Sequence, residues 1–218
     1  MKQRTERIQP ERYTDQLAAL AGFINHACAF TGHRPQKLPW RNDETAPECV
    51  ALKETLTAQI AAFVEDGYTE FLTGMAEGVD MWAAQIVLAL RVTNPSLRLH
   101  CILPCAAQSA KWSAALQKQY RAILEQADSI IFVNRADKKN CMLERDRFLV
   151  SYASIVLAVY NGERRGGTAA TVPSRIFKSA CCTPSPETSR VMETFSPFLA
   201  ILSISSMYTM PICAFGIS

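Results

Sequence analysis

No two cysteines in this chain stand at C-x-x-C spacing, although eight are present, and this removes the commonest sequence signature of a structural zinc site. The close pairs are Cys101 with Cys105 and the adjacent Cys181 and Cys182. Cys28 and Cys101 fall inside apolar runs, where cysteine behaves as a small hydrophobe. Reduced structural thiols are expected, and no metal site. An apolar stretch is also missing at the N-terminus, where residues 1–12 are charged and polar, so no export signal is read and a cytoplasmic location is expected. A charge excess is absent as well. The net charge of +3 gives no electrostatic case for non-specific nucleic-acid binding. No internal repeat is visible, and only three histidines are available for acid-base chemistry.

What is present suits one α/β domain. The chain has 218 residues, 49% apolar and 20% charged, enough to bury a sizeable core with little left for a second domain. Short apolar runs alternate with amphipathic stretches. Strands are predicted at 27–31, 68–73, 97–103, 129–133 and 155–160, and helices at about 11–24, 47–66, 79–92, 109–127 and 140–154. Val50, Leu52, Leu56, Ile60 and Phe63 form the apolar stripe of the second helix, and Gly67 stands where a C-terminal cap is expected. The alternation implies a Rossmann-like three-layer α/β/α sandwich with a mainly parallel sheet of about five strands. His100, inside a strand, is read as core.

Three of the strands end in glycine turns. Thr31-Gly32-His33-Arg34-Pro35 follows the first, Gly74 to Gly78 the second, and Asn161-Gly-Glu-Arg-Arg-Gly166-Gly167-Thr168 the fifth. Parallel strands share one C-terminal edge, so these turns are expected to converge on one crevice. Glycine lets a backbone come close to a phosphate, and a helix start offers N–H groups to it. Arg34, Arg164 and Arg165 are candidate phosphate partners. Asp80 is either a ribose acceptor or a helix cap, and Glu77 is the other carboxylate of its turn, where it can complement the helix dipole. His33 is a candidate acid-base group, and Trp40 and Trp112 can stack on a base or pack in the core.

The segments TGHRPQKLPW, TGMAEGVDMWAAQ, LPCAAQSAKW with Tyr120 and Ala127-Asp128 downstream, and NCMLERDRFLVSYAS leading to GERRGGT, occur in that order over residues 27–172. As a set they resemble the YpsA-like (DUF1273) branch of the SLOG superfamily, which also contains the DNA-processing protein DprA and the LOG phosphoribohydrolases. The resemblance implies a Rossmann-like fold that binds a nucleotide or nucleotide-derived ligand. It assigns Thr31, Gly32 and Arg34 to the first turn, and Gly74, Glu77, Gly78 and Asp80 to the second. Gly166, Gly167 and Thr168 match the phosphate turn, and Pro104, Gln108 and Trp112 a further signature beside the cleft.

Three functions compete on this reading. The first is binding or sensing of a small nucleotide-derived ligand, with a homo-oligomer left open. The second is an N-glycosidic hydrolase of the LOG type, whose P-G-G-x-G-T-x-x-E motif needs a glutamate where this chain has Thr171. The third is single-stranded DNA binding, which wants a basic groove with aromatic platforms. Three segments follow: an arm and helix at 1–26, the nucleotide-binding domain at 27–172, and an atypical tail at 173–218. Pro173 should stop the helix that the Gly-Gly-Thr turn opens, and residues 194–218 carry no charged side chain. The tail is expected to be foreign to the fold and poorly packed. Its serines and prolines make it a poor membrane span, so no membrane association is expected.

Overall fold

The computed structural model describes residues 20–159 and 199–203. Five strands are parallel: β1 (Ala27–Gly32), β2 (Glu70–Thr73), β3 (Arg98–Leu103), β4 (Ser129–Phe132) and β5 (Ile155–Val159). A sixth, β6 (Leu199–Ser203), pairs antiparallel with β5, and the sheet order is β4-β3-β2-β1-β5-β6. Four helices connect the parallel strands: α1 (Pro47–Glu65), α2 (Val79–Leu90), α3 (Ala114–Leu124) and α4 (Cys141–Ser151). The predicted Rossmann-like sandwich is the observed architecture. Among the described residues no helix is long and apolar enough to cross a membrane.

Both sheet faces are covered, which is why the strands read as continuous apolar runs. Phe30, Phe71, Leu99, Leu103 and Leu157 face Leu52, Leu56, Ile60 and Phe63 of α1, with Val87 of α2 and Ile123 of α3 in the same cluster. The opposite face is built from Ala27, Ala29, Leu72, Ile102, Ile131, Val156 and Ala158, packed on Leu149 of α4 and Ala153. Three alanines on that face let the helix layer sit close. The α1 terminus is closed as the sequence foretold. Gly67 takes φ +89°, its N–H donates to Val64 O at 3.1 Å, and the Tyr68 N–H reaches Phe63 O at 2.9 Å, a Schellman arrangement.

A polar chain crosses this second face within the sheet. Glu70 Oε2 lies 2.6 Å from His100 Nε2, and His100 Nδ1 lies 2.7 Å from Ser129 Oγ, so three neighbouring strands are tied across by side chains. His100 is therefore half-buried inside a polar chain rather than packed as an apolar core residue.

Three expectations need correction. The third connecting helix begins at Ala114 and not at 109, because the Ser113 hydroxyl caps it by accepting from Leu116 N and residues 106–112 form turns. Trp112 is accordingly in a turn, where it meets Tyr120 edge-on at 5.2 Å between ring centroids. Within the tail, Leu199–Ser203 forms a paired strand that the sequence pattern did not announce. Most of the expected helix at 11–24 lies outside the described residues, and Ile24–His26 is a 3-10 turn leading into β1.

Candidate functional site

The β1 and β5 strands are neighbours, yet β2, β3 and β4 all lie on the other side of β1. This makes the C-terminal edge between β1 and β5 the switch point of the sheet, where ligands of open α/β folds bind. Gly32 pairs with Val159 there, and the His33 N–H extends the ladder to Val159 O at 3.2 Å.

The turns after β1 and β2 interlock. A methyl group on Gly32 would come within 2.5 Å of Val79 Cβ, the first residue of α2. Gly78 takes φ +92°, and a methyl there would lie 2.8 Å from Pro35 Cδ and 3.2 Å from the His33 carbonyl. Both glycines are needed for this contact, and one also for its left-handed backbone. Glu77 Oε2 accepts from Gln36 Nε2 at 3.3 Å, a further tie between the two turns. Thr31 and His33 are buried, at 7% and 4% exposure, whereas Arg34 is exposed.

The β2 turn is held from inside. Thr73 Oγ1 donates to Asp80 O at 3.0 Å and accepts from Met75 N at 3.1 Å. Asp80 Oδ2 accepts from Ala76 N at 3.2 Å, which lets Met75 adopt φ +54°. From the β3 turn, Gln108 Nε2 donates to Gly74 O and Met75 O, each at 3.0 Å. Its Oε1 lies 3.5 Å from Tyr120 OH. Pro104 is buried beside it and accepts the Asn134 N–H at 3.0 Å. Three strand ends thus share one bonded assembly.

Its centre is a residue that the sequence reading did not select. Arg145 of α4 is 6% exposed, donates from Nη1 to Gly74 O, and places the same nitrogen 3.6 Å from Asp80 Oδ2. Its Nε lies 2.7 Å from Asp146 Oδ1, an ion pair without the alignment of a directed hydrogen bond. Asp80 and Asp146 are themselves buried, at 4% and 5%. Burial pushes the Asp80 carboxyl up to about 6, against the pull of Arg145, the Ala76 N–H and Arg34, while Asp146 pushes it further up. Burial raises Asp146 too, opposed by Arg145 and then Arg34. The exposed Arg34 is thus felt by both carboxylates.

These contacts give Asp80 an inward, turn-holding role. A glycine at 74 has a second reason besides ligand approach, since a methyl there would collide with the Arg145 guanidinium. The sequence did hold a signal for Arg145: Cys141, Arg145 and Leu149 fall at successive i, i+4 positions and are all buried, so a charge stands on the apolar stripe of α4. Gly166, Gly167 and Thr168, with Arg164 and Arg165, lie outside the described residues.

Comparison with known proteins agrees with this architecture. A model described as the YspA SLOG family matches residues 28–179. A UPF0398 protein of Bacillus thuringiensis (strain Al Hakam) is 31% identical over 141 residues, 63% of this chain and 76% of the relative. A UPF0398 protein of Bacillus cereus (strain B4264) is 30% identical over 155 residues, 70% of this chain and 80% of the relative. Those names state no ligand and no reaction. The match spans the interlocked turns, the Gln108 turn and α4, and so the chain belongs to the YpsA branch of the SLOG family, a membership that points to a nucleotide-related function.

Proposed function

We propose that the chain binds a nucleotide or nucleotide-derived molecule, with a phosphate against the N-terminus of α2 and between the turns after β1 and β2. The observation that carries this reading is the interlock of Gly32 with Val79 and of Gly78 with Pro35 beside the β1–β5 switch point. Gly78 opens α2 with no side-chain cap, so the first-turn N–H groups are offered to an outside acceptor. Arg34, exposed and electrostatically coupled to the buried carboxylates, supplies the cation at the mouth. The buried Arg145 offsets part of the negative charge of Asp80 and Asp146 beneath.

Calorimetry with a nucleoside and its mono- and triphosphates tests this directly. The phosphorylated forms should bind more tightly than the nucleoside, and Arg34→Ala should weaken only the phosphorylated forms, by about tenfold for the loss of one charge-assisted bond. Equal affinity for nucleoside and nucleotide would remove the phosphate seat.

A further inference from the structure

Next to the Gln108 turn, at the end of β3, Cys105 is 2% exposed and approaches the start of α4, whose first residue Cys141 is 4% exposed. Asp137, exposed on the loop between β4 and α4, completes a group of three. One ligand atom from each residue, two sulfurs and one carboxylate oxygen, lies within 4.8 Å of the others, and Asp137 Oδ1 already accepts from Cys141 Sγ at 3.5 Å. We propose that Cys105, Asp137 and Cys141 form a site for a borderline-soft divalent cation of the Zn2+ class.

The chemistry of the donor set selects that class. Two thiolates and one carboxylate with a fourth position left for water is a tetrahedral zinc set, whereas Mg2+ and Ca2+ take oxygen donors alone. With Zn–S near 2.3 Å and Zn–O near 2.0–2.2 Å, sulfurs in a tetrahedron stand about 3.8 Å apart, and since all three ligand atoms lie within 4.8 Å of one another, the sulfurs need to close by no more than about 1 Å. On binding, both thiols lose their protons to solvent and the cation takes the place of the S–H contact to Asp137. Lys138 does not compete for Asp137, since its Nζ is paired 3.0 Å away with Glu144. Asp137 and Cys141 stand four residues apart at the start of α4, whereas Cys105 comes from the distant end of β3, so no single motif spans the three. Cys141 and Arg145 stand one turn apart on one face of α4, so an ion here would tie the helix that carries Arg145 to the end of β3.

Titration of the reduced, metal-stripped full-length protein with Co2+ tests the proposal, because thiolate–cobalt charge transfer reports sulfur ligands by absorption. One equivalent should bind with a band for two sulfurs. Cys141→Ser and Cys105→Ser should each lose most of the band, and Asp137→Asn, at an exposed position that leaves folding intact, should weaken binding at least tenfold. A Cys181→Ser, Cys182→Ser, Cys213→Ser triple variant should bind as the parent does. The proposal is overturned by absence of any band, by a band that survives Cys141→Ser or disappears in the triple variant, or by unchanged affinity in Asp137→Asn.

Discussion

Arg145 Nη1 donates to the carbonyl oxygen of Gly74, and the space that a side chain on residue 74 would need is filled by that same guanidinium. The bond joins α4 on one face of the sheet to the end of β2, and through Asp80 to the first turn of α2 on the other. One buried cation therefore fixes the relative placement of three elements that border the candidate site.

Gly74→Ala should expel Arg145 and leave Asp80 and Asp146 buried without their cation. Breaking a buried pair in this way costs about 3–5 kcal/mol. Arg145→Met should cost a similar amount, and the double variant should cost much less than the sum, since both changes remove the same contact. Urea denaturation midpoints measure this; full additivity would show that Gly74 and Arg145 act separately.

Asp80 predicts a pH dependence whose sign follows from its raised carboxyl. The folded protein holds this proton up to about pH 6, while an ordinary aspartate releases it near 3.8. Stability from this group is complete below pH 4 and is lost as pH rises through 6, by at most about 3 kcal/mol. Arg145, Asp146 and Arg34 are the charges that face it. In Asp80→Asn the loss between pH 4 and 6 should shrink relative to the parent. A stability difference between the two that does not vary over this interval would contradict the assignment.

Across β2, β3 and β4, replacing His100 by Phe should leave the Glu70 carboxylate, 9% exposed, without its partner at 2.6 Å. The cost should be about 1–3 kcal/mol for an unsatisfied buried group. Adding Glu70→Leu should recover most of it, because a face lined by Leu72 and Ile102 accepts an apolar pair. Failure of that rescue in thermal melts would mean that the histidine matters for its own packing.

The legibility of the chain was uneven for physical reasons. Parallel strands buried on both faces leave long apolar runs, so β1, β2, β3 and β5 were readable to within two residues, and Gly67 marked the end of α1 because only a left-handed residue fits there. The first two glycine turns were readable as a pair, since a strand ending in glycine before a helix is a local pattern. Arg145 was not, because what makes it central is its contact with Gly74 and Asp80, far away in sequence. The start of α3 was misplaced for a different reason. Residues 109–113 have acceptable helix composition, and only the Ser113 cap shows where the helix begins. Asp137 and Cys141 are four residues apart, but only tertiary structure brings Cys105 to them.

The tail supplies the last prediction. Its charge-free stretch from 194 and its prolines suggest a segment foreign to the fold, yet Leu199–Ser203 runs antiparallel along β5, with Leu157 opposite Ile201 and Val159 opposite Leu199. Without that strand β5 would be an edge, five apolar residues long. Such an edge invites pairing with another chain. Hydrogen exchange on the full-length protein separates the two views. If β6 closes the sheet, amides of 199–203 should exchange more slowly than those of an unstructured peptide of the same sequence, and a chain ended at residue 198 should associate at concentrations where the full chain does not. Exchange of 199–203 at the rate of an unstructured peptide, with no change in association on removal, would show that β5 is the true edge and that the tail contributes nothing to the sheet.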